Sequence, residues 1–226
     1  MPELISTASD PFINKYQPRL FSEFEQLTPV MVGLLNSLIQ MHELNLLIVG
    51  DSGSGKTSLV NAIIREYYGV HHNPENVMIL NSLKDQGIQY YRSDMKIFCQ
   101  TSSLVPGKKK LIILDDIDSI NEQSQQVFRN CIDKYKHNVS FIASCINLQK
   151  VIDNLQSRQI IVKINPIDPM CLQKILHKIR VCEQLDIHAD AEQFVLRVCN
   201  GSVRILINYM EKFKIIGVPI TLELAN

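Results

Sequence analysis

Gly50-Asp51-Ser52-Gly53-Ser54-Gly55-Lys56-Thr57 meets every position of the phosphate-loop pattern G-x-x-x-x-G-K-[ST]. Leu46-Leu47-Ile48-Val49 precedes it as a short apolar run of strand character. Ser58-Leu59-Val60-Asn61-Ala62-Ile63-Ile64 follows it with apolar residues at helical spacing. The loop therefore joins a strand to a helix, a context that a chance glycine-rich turn with a lysine would not need. Its glycines let successive backbone N–H groups face one anion, and the helix start adds the positive end of its dipole. The stretch from Gly50 to Ser58 is thus expected to wrap a triphosphate, with Lys56 bridging the β- and γ-phosphates and the Thr57 hydroxyl a ligand of Mg²⁺.

Strands and helices alternate on either side of this loop. Between Leu27 and Glu43, the residues Val30, Leu34, Leu35, Leu38 and Ile39 recur at helical spacing ahead of the first strand. Beyond the loop, residues 76–81 have strand character and residues 88–99 helical character. Leu111-Ile112-Ile113-Leu114 is then a continuous apolar run ended by Asp115-Asp116. A helix over residues 122–136 and strands over 139–145 and 160–164 complete an α/β domain with a five-stranded parallel sheet. Side chains at the C-terminal end of a buried parallel strand border the crevice where ligands of such sheets bind. Asp115 is therefore expected to hold Mg²⁺, usually through water, and Asp116 to orient the attacking water. An Asp-Asp pair after a strand also suits a helix cap or turn; its partnership with the loop at 50–57 favours the metal.

Residues 1–10 read as a flexible leader, and Pro11–Arg19, with two prolines and alternating aromatics, as an extended strap at the start of an α/β domain spanning 11–165. Two further prolines in Asn165-Pro166-Ile167-Asp168-Pro169 mark a linker. Residues 166–226 then read as a small three-helix lid domain, with helices over 170–185, 190–199 and 202–215 and a break at Asn200-Gly201. Lys+Arg and Asp+Glu both total 23 in the 226 residues, so any nucleic-acid contact must come from a local patch. The six cysteines form no C-x-x-C pair and suggest buried, reduced thiols rather than a metal or disulfide framework. No signal-peptide pattern opens the chain and no apolar run is long enough to span a bilayer, so a soluble intracellular protein without membrane partners is expected. Lys108-Lys109-Lys110 reads as a solvated turn.

From Pro11 to about Asn208 the chain resembles the small subunits of replication factor C type sliding-clamp loaders, within the AAA+ ATPases. Pro11-Phe12-Ile13-Asn14-Lys15-Tyr16-Gln17-Pro18 resembles the family's P-W-x-x-K-Y-R-P segment, and residues 81–92 its N-A-S-D-D-R-G-I-D-x-x-R segment. Leu114-Asp115-Asp116-Ile117-Asp118-Ser119 is similar to the L-D-E-A-D-S box, Leu155-Gln156-Ser157-Arg158 to L-Q-S-R-C, and Gly201-Ser202-Val203-Arg204 to G-D-x-R. The resemblance implies ATP with Mg²⁺ as cofactors, Tyr16 near the adenine, and Arg204 on the γ-phosphate of its own subunit. It implies Arg158 as an arginine finger reaching a neighbouring subunit's ATP. It also implies a hetero-oligomer, pentamer-like, that places a ring-shaped clamp on primer-template DNA, with Arg92, Lys96 and Arg129 on the DNA backbone. Its location would be the nucleus or another site of DNA replication.

Several positions depart from the family pattern. Asp116 stands where the family has glutamate; one methylene less draws the carboxylate back by about a bond length, and about an ångström of misplacement can cost roughly a hundredfold in rate. Ile146 occupies the polar sensor position, and Asn147, one residue later, could replace it only if the backbone bends. Gln17, Gln86, Asn130 and Gln159 stand where the family has two arginines, the second arginine of L-R-R, and cysteine. Family members continue into a third helical collar domain that the 226 residues do not include, and the divergence would suit a rapidly evolving copy such as that of a large DNA virus. Two alternatives stay open: an ATP-bound structural subunit that hydrolyses little, and a related AAA+ loader acting on a helicase or an origin.

Overall fold

The computed structural model describes residues 10–80 and 88–225, with the side chains of 88–92 excepted. Two compact units emerge. One holds Arg19–Asp51 and Lys56–Ile164; the other holds the chain up to Pro18, the loop Ser52–Gly55 and the chain from Asn165. The strap thus groups with the helical residues rather than with the α/β residues that follow it in sequence.

The chain runs through α1 (Phe12–Lys15), α2 (Pro29–Gln40), β1 (Leu46–Val49), α3 (Lys56–Tyr68), β2 (Val77–Leu80), α4 (Ile88–Gln100), β3 (Lys110–Leu114), α5 (Glu122–Tyr135), β4 (Val139–Cys145), α6 (Asp153–Gln156) and β5 (Ile160–Lys163). It continues through α7 (Pro169–Glu183), α8 (Ala189–Cys199), α9 (Val203–Ile216) and α10 (Leu222–Ala225). The five strands are parallel in the order β2-β3-β4-β1-β5, so β4 lies between the two strands whose ends carry the sequence motifs.

Strand side chains alternate between the two faces of the sheet. Leu46, Ile48, Leu111 and Ile113 join one apolar core with Leu35 and Leu38 of α2 and Leu59 and Ile63 of α3. Leu47, Ile112, Leu114 and Phe141 join the other with Met95 and Cys99 of α4 and Phe128 and Ile132 of α5. With helices on both faces, β3 and β4 are buried at every residue, which explains the continuous apolar run Leu111–Leu114 of β3 and the apolar or small residues of β4. Helix starts follow local chemistry: Thr28 accepts from the Met31 N–H at 3.3 Å ahead of Pro29, and Asn121 from the Ser124 N–H at 2.8 Å.

Two expectations are corrected in these segments. Lys110 does not lie in a solvated turn: it opens β3, buried, with its ammonium donating to Thr101 Oγ1 at 2.5 Å and Phe98 O at 3.3 Å. Burial holds its pKa below the ordinary lysine value. Helix α2 is shorter than the apolar periodicity suggests, and Val30 in its first turn is 82% exposed.

In the helical unit, Ile167, Leu172, Leu176, Val195, Leu206 and Met210 form a separate core. Asn200 and Gly201 both have positive φ and end α8 where the sequence predicts a break. The strap is not fully extended: Pro11, whose missing N–H costs nothing at a helix start, precedes the single turn of α1. Phe12 packs into the helical core. Lys15 Nζ and Tyr16 Oη donate to Glu183 Oε1 of α7 at 2.6 and 2.5 Å, and Lys214 Nζ donates to the Glu183 backbone O at 2.7 Å. Burial acts to raise the Glu183 pKa, but the hydrogen bonds from Lys15 and Tyr16 outweigh it and hold the carboxyl below its ordinary range. Burial, reinforced by that carboxylate, raises the Tyr16 phenol well above the usual tyrosine value.

The six cysteines are free thiols, and the burial expected of them holds in part. Cys99, Cys145 and Cys199 are buried, but Cys182 is exposed. Burial pushes the Cys145 and Cys199 thiols up to about 11, which keeps them protonated and unreactive near neutral pH. Among the described residues no helix is long and apolar enough to cross a membrane.

Candidate nucleotide site

The loop after β1 turns at Gly53 (φ +77°) and Gly55 (φ +92°), conformations that a side chain would strain. The Gly50 N–H donates to Cys145 O at 3.2 Å, anchoring the loop's first residue to the end of β4. Lys56 is only 8% exposed, and its ammonium donates to the loop carbonyls of Gly50 at 2.8 Å and Asp51 at 3.0 Å. Ser54 is buried, Asp51 and Ser52 are exposed, and Ser58 is half-buried in the first turn of α3.

Thr57 opens α3 and Asp115 follows β3, 58 residues apart in sequence, yet Thr57 Oγ1 lies 3.4 Å from Asp115 Oδ2. A hydroxyl and a carboxylate oxygen are hard donors of the kind Mg²⁺ selects, and Mg²⁺ is usually held by few protein ligands with phosphate and water completing its shell. The residues present therefore fit both groups: loop amides and an ammonium for phosphate, Thr57 and Asp115 for the metal.

Asp116 is exposed and left-handed at φ 54°, ψ 50°, and its carboxylate meets no hydrogen-bond donor among the described residues. Its N–H donates to Ser144 Oγ at 3.2 Å, and Ser144 Oγ donates in turn to Asp115 Oδ1. Asp118 Oδ2 accepts from the Ile146 N–H at 3.2 Å and the Asn147 N–H at 2.9 Å, pinning the turn after β4. Asn147 Oδ1 caps the following 3₁₀ turn by accepting from the Gln149 N–H at 2.9 Å, and both Ile146 and Asn147 are exposed. Gln125, 1% exposed on α5, donates to Lys150 O at 2.8 Å and accepts from the Ile152 N–H at 2.9 Å. Sequence reasoning did not single out Ser144 or Gln125. The available signal was a polar residue inside an apolar strand or on the inner face of a helix.

Arg158 follows α6 and is tied down within its own chain. Its Nε donates to Asp133 Oδ1 at 2.6 Å and its Nη1 to Asn154 O at 2.6 Å. Arg129 Nε lies 3.3 Å from the other Asp133 oxygen, so one carboxylate on α5 serves two guanidinium groups. The hydrogen bond from Arg158 is the main reason the Asp133 carboxyl titrates below its ordinary range. Lys96 is exposed on α4; the side chain of Arg92 and the matched segment 81–87 lie outside the described residues. Arg204, in the first turn of α9, is exposed, and Tyr16 is half-buried against Glu183.

A family model described as the ATPase family associated with various cellular activities (AAA) matches residues 46–166, and the chain belongs to that family. In fold it is similar to a mutant of RuvB from Thermotoga maritima, with a TM-score of 0.72 at 16% identity, over 93% of this chain and 71% of that one. In sequence it is similar to subunits of replication factor C. It is 29% identical to Replication factor C subunit 3 of Schizosaccharomyces pombe over 91% of this chain and 60% of that protein. It is 30% identical to Replication factor C small subunit 2 of Pyrobaculum islandicum over 88% of this chain and 62% of that protein. The chain therefore spans about 60% of the length of these relatives.

Proposed function

We propose that the chain is an ATP-binding and ATP-hydrolysing subunit of a sliding-clamp loader, acting with other loader subunits, a ring-shaped clamp and primer-template DNA wherever DNA is replicated. The observation that carries this is the meeting of Thr57 and Asp115 beside a buried Lys56, because each is supplied by a different segment and their chemistry converges on a magnesium-bound triphosphate. Gly50 to Ser58 wrap the phosphates, and Lys56 exchanges its two loop carbonyls for phosphate oxygens. Tyr16 borders the adenine and Arg204 senses the γ-phosphate of the same subunit. Arg158 completes a neighbour's site, while Arg92, Lys96 and Arg129 contact the DNA backbone. Lys56→Ala should weaken binding of a fluorescent ATP analogue at least tenfold; unchanged binding would remove the proposal's foundation.

The setting of Asp116 favours a second reading, in which the subunit holds ATP and hydrolyses it slowly. Its carboxylate is one methylene short of the family's glutamate and lacks an orienting donor among the described residues. Single-turnover hydrolysis by the reconstituted assembly separates the two. A large gain in Asp116→Glu supports the slow subunit, and an equal rate supports the competent one.

A further inference from the structure

Strand β4 contributes a side chain to the nucleotide site that no motif names. Ser144 is 1% exposed, paired in register with Ile48 of β1, and one residue beyond Ala143, which pairs with Leu114 at the end of β3. Its hydroxyl accepts the Asp116 N–H at 3.2 Å. Because that amide hydrogen is aimed at Oγ, the hydroxyl's own proton is left for Asp115 Oδ1, to which it donates. Asp115 thus has one oxygen tied to β4 and the other, Oδ2, turned to Thr57. The same hydroxyl also braces the left-handed backbone of Asp116, a conformation that strains a non-glycine residue.

We propose that Ser144 is a positioning residue for the magnesium–nucleotide site: its single hydroxyl sets the rotation of the Asp115 carboxylate and the backbone direction of Asp116 together. An apolar residue would serve the core of β4 equally well, since Ile142, two residues back on the same face of the strand, joins its core as a purely apolar side chain. A hydroxyl is needed because two acidic residues must be presented from a turn rather than from a strand. This role rests on Thr57 and Asp115 holding the metal as proposed above.

The test uses the full 226-residue chain, a fluorescent ATP analogue, and a magnesium titration compared with binding in EDTA. Wild type should bind more tightly as magnesium rises, and Asp115→Asn should lose that gain. Ser144→Ala should need about tenfold more magnesium for the half-maximal gain, in line with the loss of an outer-shell partner of a metal ligand. Its affinity in EDTA should be unchanged, and Ser144→Thr, which keeps the hydroxyl, should restore the midpoint. If Ser144→Ala fails to fold by circular dichroism, Ser144→Cys, of similar shape but a far weaker donor, carries the same expectation. A wild-type magnesium midpoint in the Ser144 variant while Asp115→Asn has lost its response overturns the role of Ser144 alone. Equal weakening with and without magnesium marks a purely structural serine and also overturns it. A magnesium response that survives Asp115→Asn refutes the metal assignment itself, and the role of Ser144 falls with it.

Discussion

Replacing Gln125 by leucine isolates what a buried amide does where α5 meets the turns that follow β3 and β4. The two side chains have similar volume, so no large cavity opens, but leucine neither donates nor accepts. The amide's short bonds go to Lys150 O at 2.8 Å and from the Ile152 N–H at 2.9 Å; those to Ile120 O and Ile117 O, at 3.3 and 3.4 Å, are weaker. Ile117 O keeps a second donor, the Ile120 N–H. Leucine therefore strands chiefly one carbonyl and one amide, each costing about 1–3 kcal/mol when buried. Both are only partly enclosed and leucine adds apolar burial, so the net loss is about 2 kcal/mol. For a chain of this length that lowers Tm by about 4–8 °C. Thermal unfolding followed by circular dichroism measures it. Gln125→Glu sharpens the experiment, because at pH 7 it sets an acceptor-only carboxylate against carbonyl oxygens. It should be less stable than the leucine variant and recover as the pH falls and the carboxyl becomes a donor. A leucine variant melting within about 1 °C of wild type, or a glutamate variant matching it at pH 7, would refute the reasoning.

Asp133 should titrate below the ordinary aspartate range, and in Arg158→Ala its pKa should rise; carbon-detected NMR titration reads both. Its folded-state pKa is depressed, so the stabilisation it contributes is complete above about pH 4, the unfolded value, and is lost as the pH falls through the folded one. Acid unfolding of Arg158→Ala should lack this contribution, and identical acid limbs would contradict it. Glu183→Gln should let the Tyr16 phenol ionise at lower pH than in wild type, still above the ordinary value because burial remains the larger cause, as ultraviolet difference absorbance would show. The same variant should lose about 1–2 kcal/mol at pH 7 in urea unfolding, since Lys15 and Lys214 then face an uncharged amide; unchanged stability would count against the carboxylate as the strap's anchor.

Much of the site was legible because its chemistry is local. The loop glycines, Lys56 and Thr57 sit within one strand–turn–helix unit, so spacing along the chain is spacing in space. Asp115 could be placed because an unbroken apolar run implies a strand buried on both faces with its end at the crevice. Lys110 and the strap were misread for the opposite reason. A triple-lysine run looks solvated until Thr101 and the Phe98 carbonyl are found receiving one ammonium, and two prolines suggest extension until Phe12 finds an apolar core to enter. Asp133 was invisible as a partner of Arg158 because the pair lies 25 residues apart on different elements.

Taken alone, the sequence determined the kind of residues on offer: a glycine-rich loop with its lysine, a hydroxyl and a carboxylate of the type that suits magnesium, alternating strands and helices, and a run of helices after them. Each follows from residue type and short-range periodicity, which survive without knowledge of distant neighbours. Only the tertiary structure decided which strand stands between the two motif-bearing ones. Parallel strands pair through crossovers whose order is set by how both faces are covered, not by any local repeat. That order puts β4 between β1 and β3 and gives Ser144 its reach to Asp115, while the strand ends that the sheet aligns bring Thr57 beside the same carboxylate.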